Sequence, residues 1–415
     1  MKTNPFTSSI FESIWSKHFN NVNDPIAFEF IKGVQFLKKS RLGVYENIGK
    51  NLTKGIYYDL DFSKNDFKGK TYLIYDVPTY FELAPFSPPS SSSLKLKKVF
   101  QYQGFLMDIS SFSNQDDYIN AQFSSKNRRE FRSNQRRLEA CFDISYTFIH
   151  DAIAQTEFDD LFKQFHDLLS KRFAGKQTNY HHLSADKWNY YKELVFNMLS
   201  QKRASLLVIY KEKIPIGITL NFHSEDVLFE AITVFDPDYY KFSIGKTSII
   251  KLLEWCFENK YRISDFSKGD YDYKHKWSNL SYDFDYHILY DSKSILSVFK
   301  ANYVALFYKA KLYLRRKKVN QLYRKYTFLI KGEATNFTDK SHDNFSFEKL
   351  ENFVPSEDFE RIDFKSQAHK FLLQFVYTFL FANPEYEEQI EVYKQNNKNV
   401  YVIKGSKKSQ KISFS

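Results

Sequence analysis

The segment from Ala204 to Ser267 constrains the fold more than any other part of the chain. Ala204–Tyr210 (ASLLVIY) and Ile214–Phe222 (IPIGITLNF) are strand patterns around a Lys211–Lys213 turn, and Val227–Phe235 (VLFEAITVF) is a third strand. Behind Ser243, Gly245 and Thr247, where a helix would begin, Ile249, Ile250, Leu252, Leu253, Cys256 and Phe257 recur at helical spacing. Arg262–Ser267 (RISDFS) reads as a short strand delivering side chains to a sheet edge. A helix N-terminus carries unpaired N–H groups and partial positive charge, so this one can hold an anion such as a phosphate. The blander reading, favoured on this stretch alone, is an ordinary helix-to-strand connection of an α/β domain.

The flanking patterns extend the order. Glu157–Phe173 is an amphipathic helix with Phe158, Leu161, Phe162, Phe165, Leu168 and Leu169 on one side; Asp186–Leu199 is a second, and Tyr282–Tyr290 a last strand. Ser124–Ala140 (SSKNRREFRSNQRRLEA) is a basic helix whose arginines spread over more than one face. Such a helix is either a solvated bridge or a surface for an anionic partner. Nearer the N-terminus, Asp24–Lys38 fits a helix packed on a sheet, and strands are expected within Gly43–Asp61, Thr71–Val77 and Val99–Ile109. Ser87–Ser93 (SPPSSSS) is a linker or exposed loop. Leu296–Lys325 reads as a basic helix, single or broken. Val298, Phe299, Leu306, Phe307 and Leu314 are expected to pack on the domain, with Arg315–Lys318 as a cationic cluster. It either docks with its basic face solvated or lies on anionic lipid as a peripheral membrane contact. Beyond Gly332 a polar tail is expected, with one small helix at Gln367–Phe381 and a disordered Lys/Ser-rich end.

Composition narrows the partners. At 415 residues the chain can hold two or three domains, and its 43% hydrophobic share predicts a folded protein. A net charge of +11 admits a nucleotide cofactor, RNA or an acidic membrane surface without choosing among them. Cys141 and Cys256 cannot build a disulfide framework or a thiolate metal site, which fits a reducing cytoplasm. The N-terminus lacks a signal-like apolar core, and no run approaches the ~18 apolar residues of a membrane span. A cytoplasmic location is expected. His181 and His182, like the other histidines, lack metal spacing, and no HExxH or GxSxG motif is present. No metal is expected.

In this order, the entry helix SSKNRREFRSNQRRLEA, the hairpin end PIGITLNF, the segment VFDPDYYKFSIG and above all DFSKGDYDYKHKW resemble GNAT-fold acyltransferases. The likeness covers roughly Phe123–Tyr290 and is nearest to the subgroup of CelD/BcsL-type acetyltransferases with FemAB-like relatives. It implies an α/β fold with a GNAT-type mixed sheet flanked by helices, in two tandem GNAT-like halves. A degenerate half would span residues 1–122 and the transferase half 123–292. A basic helical extension (293–332) and the tail (333–415) would follow.

The resemblance also implies direct transfer of an acyl group from acetyl-CoA or another acyl-CoA to an amine or hydroxyl. The acceptor would be a small molecule or a cell-envelope or polysaccharide precursor. Aminoacyl-tRNA is the alternative donor, as in FemAB-type enzymes, and a non-catalytic scaffold or membrane-surface module is a third reading; DNA is not expected. In such folds a splayed strand, here Val227–Phe235, offers backbone N–H groups to the acyl carbonyl. The donor's phosphates would sit over Ser243, Gly245, Lys246 and Thr247. Tyr240-Lys241-Phe242-Ser243-Ile244-Gly245 keeps only the last position of the usual Gln/Arg-x-x-Gly-x-Gly/Ala loop. Ser-Ile-Gly-Lys-Thr is not a P-loop, because the earlier Gly would fall at Tyr240. By the same resemblance Lys274 would stabilise charge at the reacting carbonyl. Asp265 would orient it or serve as base, Tyr273 would protonate the leaving group, and Glu230 is a further base candidate.

Overall fold

The computed structural model describes residues 4–20, 24–39, 42–50, 52–174, 183–317, 345–351 and 353–414. The chain opens with α1 (Ser9–Phe19) and strands β1 (Ile26–Phe28), β2 (Ile31–Lys39), β3 (Val44–Asn47), β4 (Asp59–Leu60), β5 (Thr71–Pro78) and β6 (Leu94–Asp108). Next come α2 (Gln115–Gln122), α3 (Ser125–Cys141), β7 (Ile144–Ile149), α4 (Gln155–Phe173) and α5 (Ala185–Leu199). Strands β8 (Ala204–Lys211), β9 (Ile214–His223) and β10 (Val227–Phe235) lead into α6 (Ile244–Glu258) and β11 (Ile263–Lys268). The short α7 (Asp272–Trp277), β12 (Leu280–Asp291) and α8 (Ile295–Arg316) follow.

One mixed sheet runs through all of these strands in the order β1-β2-β3-β5-β12-β6-β11-β10-β9-β8-β7, with β4 beside β2. This is the mixed, helix-flanked GNAT-like sheet the sequence led us to expect. Its two halves are interleaved. The long strands β6 and β12 pair from Leu280 opposite Leu106 to Asp291 opposite Leu94 and form the spine. Strand β12 thus carries the end of the second half into contact with β5 of the first. Among the described residues all pairings of this sheet are antiparallel except two short ones. Parallel β3 and β5 meet at Tyr45–Tyr72 and Glu46–Leu73, and parallel β10 and β11 meet from Val227–Ile263 to Phe229–Asp265. Beyond those contacts each parallel pair parts.

The two gaps are filled differently. In the first half the Asn47 side chain accepts from the Tyr75 N–H at 2.8 Å, and the Tyr75 and Tyr308 hydroxyls meet at 2.5 Å. Tyr286 packs on Tyr308 with ring centroids 4.1 Å apart. Side chains therefore plug that opening. In the second half, one face packs α4 and α5 through Phe158, Phe162, Trp188 and Leu194, while α6 covers the other through Leu252, Leu253 and Cys256.

Three expectations need correcting. Asp24–Lys38 forms β1 and β2 rather than a helix, because Gly33 sits at φ +85°, outside helical conformation, and β2 is claimed by β3. The tail is not mainly polar coil. Strands β13 (Phe345–Leu350), β14 (Phe359–Ile362), β15 (Glu391–Gln395), β16 (Val400–Lys404) and β17 (Ser409–Phe414) form an antiparallel sheet, ordered β13-β17-β16-β15-β14. It packs with α9 (Leu373–Ala382), the small helix expected there, through Val376, Leu380, Val392 and Ile403. The third concerns which face of helix α8 packs inward. The helix rests on the first half of the main sheet, and by the opposite face from the one expected: Ala301, Val304, Ala305 and Tyr308 are buried, whereas Phe299, Leu306, Phe307 and Leu314 are exposed. The rest of the expected 293–332 extension, with Lys318, lies outside the described residues, as do His181 and His182.

Candidate active site

Where β10 leaves β11, the register of β10 against β9 slips between Glu230 and Ile232, leaving Ala231 as a bulge. The slip reverses the alternation of side chains. Phe229, Ile232 and Val234 face the α4–α5 core, while Glu230, Thr233 and Phe235 face a cavity of about 620 Å³. The other walls come from the start of α6, from α7, and from one side of α3. Phe131 stacks on Trp277 at 5.4 Å and Phe123 meets the same indole edge-on at 4.6 Å, closing the cavity with an apolar wall. Opposite, the Arg172 guanidinium lies 4.1 Å from the Phe235 ring centroid.

At the start of α6, Ser243 adopts a left-handed conformation (φ +56°), and its hydroxyl accepts from the Asn134 amide at 3.2 Å. The N–H groups of Lys246 and Thr247 donate to the Ser243 carbonyl at 2.8 and 3.4 Å. Ile244 and Gly245 supply the first backbone N–H groups of α6, at the positive end of the helix. A Cβ on Gly245 would come 2.8 Å from the Phe235 ring, so this position needs glycine for packing. Lys246 lines the cavity, with its ammonium on Glu130 at 2.6 Å. Thr247 is buried and is not part of the lining.

The acid and base candidates separate by environment. Glu230 is 8% exposed, and its Oε1 has no hydrogen-bond partner. Burial pushes its carboxyl up to about 8; Lys274 opposes that rise and Asp265 adds to it. Asp265 is fully buried away from the cavity. It accepts from the Tyr282 hydroxyl at 2.7 Å, the Tyr80 hydroxyl at 2.9 Å and the Ser267 N–H at 2.6 Å. Burial raises it to about 6 against those hydrogen bonds. Lys274 does not line the cavity either. Its ammonium donates to the carbonyls of Phe266 (2.7 Å), Ser267 (3.3 Å) and Lys268 (2.5 Å). The left-handed Ser267 (φ +58°) and Gly269 (φ +109°) bend the end of β11 around it. Burial brings Lys274 down to about 8, with Glu230 and Asp265 resisting. Tyr273 stands on the cavity wall, 42% exposed.

The structure thus brings Glu230, Tyr273, Ser243, Gly245 and Lys246 to one cavity and turns Lys274, Asp265 and Thr247 away from it. The sequence reading missed Glu130, Phe131, Arg172 and Trp277 as lining, and Tyr80 and Lys54 as contributors from the first half. Lys54, lowered to about 7 by burial and by Lys268 and Lys274, shares the charge environment of Asp265. Helical spacing from the basic residues of α3 could have flagged Glu130 and Phe131; nothing local marks Tyr80. On another side of α3, Arg129, Arg132, Arg136 and Arg137 line a groove of about 430 Å³ beside Pro384. Among the described residues no three His, Cys, Asp or Glu side chains cluster as metal ligands would.

Residues 125–275 match the model of the acetyltransferase (GNAT) domain family, a span from the start of α3 into α7 that includes Glu230, Ser243–Thr247, Asp265 and Lys274. No curated protein matches the chain significantly. Among solved structures, a protein of unknown function from Bacteroides thetaiotaomicron is similar at 10% identity and TM-score 0.43, over 70% of this chain and 93% of its own. The C-terminal domain of a putative lysylphosphatidylglycerol synthetase from Agrobacterium fabrum is similar at 12% identity and TM-score 0.42, over 70% of this chain and 88% of its own. FemX is similar at 10% identity and TM-score 0.39, covering 61% of this chain and 83% of its own.

Proposed function

We propose that the cavity between β10, α6, α7 and α3 is the site of a cytoplasmic acyltransferase, with Glu230 as its general base. The observation that carries this reading is a buried carboxyl with an unpartnered oxygen, aimed into a cavity where a strand edge has lost its neighbour. A base with a pKa near working pH combines correct protonation with driving force for proton transfer. The acceptor is an amine or hydroxyl on a small molecule or a cell-envelope or polysaccharide precursor. Glu230 takes its proton as the nitrogen or oxygen attacks the acyl carbonyl. N–H groups on the edge of β10 past Phe229 receive the developing oxyanion, at a barrier reduction of about 3–4 kcal/mol per donor. As the tetrahedral intermediate collapses, the C–S bond breaks and the thiolate takes a proton from Tyr273.

Acetyl-CoA or another acyl-CoA is the proposed donor. The positive N-terminal end of α6 at Ile244 and Gly245, with Lys246, suits its phosphates; Ser243 shapes the turn and Thr247 anchors it from inside. Asp265 and Lys274 are positioning residues. Asp265 fixes Tyr80 and Tyr282 behind the site, and Lys274 holds the end of β11 from which α7 departs. Within the family we place the chain beside the CelD/BcsL-type enzymes on its Asp265-to-Trp277 segment.

The second reading takes aminoacyl-tRNA as donor, and the arginine groove on α3 favours it. Calorimetric titration with CoA and acetyl-CoA, and thiol release on mixing acetyl-CoA with a panel of amines and hydroxyls, test the first reading. Absence of CoA binding at millimolar ligand sinks it. RNA affinity that falls steeply with salt, and is flattened by Arg132→Glu with Arg136→Glu, moves the assignment to the second.

A further inference from the structure

Helix α8 carries two apolar stripes, and only one of them is used. Ser297, Ala301, Val304, Ala305 and Tyr308 are buried against the sheet. Turned the other way, Leu296, Phe299, Leu306, Phe307, Tyr313 and Leu314 are each between 49% and 68% exposed. They recur at the three- and four-residue spacing that keeps side chains on one helical face. At about 100° per residue, Lys300 and Lys311 fall along one margin of that face and Lys309 and Arg316 along the other. The helix contains no Asp or Glu, and none of these four cations forms an ion pair among the described residues. Lys97 of β6 adds a further cation beside the helix, hydrogen-bonded to Asn302.

We propose that this face of α8 docks on an anionic membrane surface, with the helix lying in the plane of the interface. An apolar stripe rich in aromatic rings and edged by long cationic side chains matches the two layers of such a surface. The rings enter the acyl boundary while the Lys and Arg stems reach back to the headgroups. Electrostatics select this occupant over a second copy of the chain. A copy carries a net charge of +11 and would bring the same acid-free, cation-edged stripe to the contact. The docking is peripheral, since no described helix is long and apolar enough to cross a membrane. It holds whether or not the cavity transfers acyl groups.

The test is co-sedimentation of the full chain with vesicles of phosphatidylcholine alone and of phosphatidylcholine mixed with phosphatidylglycerol. Binding is expected to the anionic vesicles and to weaken as salt rises. Phe299→Ser with Leu306→Ser and Phe307→Ser should lower partitioning by on the order of tenfold or more, with an unchanged unfolding midpoint. Lys300→Gln with Lys309→Gln and Lys311→Gln should lower it by about a hundredfold, at about fivefold per charge. No binding to anionic vesicles, or equal binding to neutral ones, overturns the proposal. So does a lipid-free dimer that either triple variant converts to monomer.

Discussion

Glu230→Gln separates a catalytic carboxyl from a merely buried one, because it should move activity and stability in opposite directions. With the carboxyl raised to about 8, only about a tenth of the molecules carry the carboxylate at pH 7, and about nine tenths at pH 9. The rate of acyl transfer should therefore climb close to tenfold from pH 6 to 7, about fivefold from 7 to 8, and level off above that. Lys274, Asp265 and Lys54 share this environment, so the midpoint belongs to the group rather than to one residue. Replacing the base should cost about 10²–10⁴ in kcat and remove that limb, while CoA affinity stays. Stability follows the other sign. A carboxyl whose folded pKa lies above its unfolded value of 4.5 contributes fully below about pH 4.5, and that contribution is lost as pH rises through about 8. The wild type should lose on the order of 3–5 kcal/mol across that window through this group, and the Gln variant should not. Denaturant midpoints at pH 5.5 and 8.5, beside pH–rate profiles, read both. A Gln variant with the wild-type rate, or one that keeps the ascending limb, refutes the assignment of Glu230 as base.

Lys274→Met removes one ammonium from three buried carbonyls, so a loss of about 3–5 kcal/mol in denaturant unfolding is expected; an unchanged midpoint would mean those contacts are idle. Gly245→Ala forces a methyl against the Phe235 ring, which should cost about 1–3 kcal/mol and weaken CoA binding, measured by calorimetry. Tyr282→Phe deletes the hydroxyl that reaches both oxygens of Asp265. Its carboxyl should then titrate higher still, and acid-side stability should change over a window shifted up from about pH 6, followed by unfolding midpoints from pH 4 to 8.

The parts of this architecture legible in the sequence are those set by local periodicity. The hairpin β8–β9, the strand β10 and the face of α6 all follow from neighbouring residues. What escaped was decided at long range. Asp24–Lys38 carries apolar residues that suit either period, and the pairing with β3 settled it. In the tail, Glu391–Gln395 and Ser409–Phe414 are strands built largely of polar residues, supported by α9 rather than by their own hydrophobicity. Helix α8 has two apolar stripes. The smaller residues Ala301 and Ala305 went inward because they let the helix approach the sheet, leaving the larger ones outside. Lys274 lies in the expected segment, but left-handed Ser267 brings carbonyls to its ammonium, which no spacing rule foresees. Asp265 depends on Tyr80, a residue 185 positions away.

The two halves also differ at their openings. Each has a parallel strand with a buried aspartate held by a tyrosine two strands away: Asp76 of β5 by Tyr102 of β6, and Asp265 of β11 by Tyr282 of β12. The shared spine supplies both tyrosines, so each half braces the other. What differs is the space beyond the parallel contact. In the first half Asn47, Tyr75 and Tyr308 occupy it and hydrogen-bond one another there. In the second half the corresponding opening keeps an unpartnered carboxyl oxygen, the positive end of α6 and a cavity. An unpaired buried polar group costs about 1–3 kcal/mol, and a fold that fills one of two equivalent openings could fill the other. That the second stays open with a carboxyl oxygen unmatched is the physical reason to assign the chemistry to Glu230 and its surroundings.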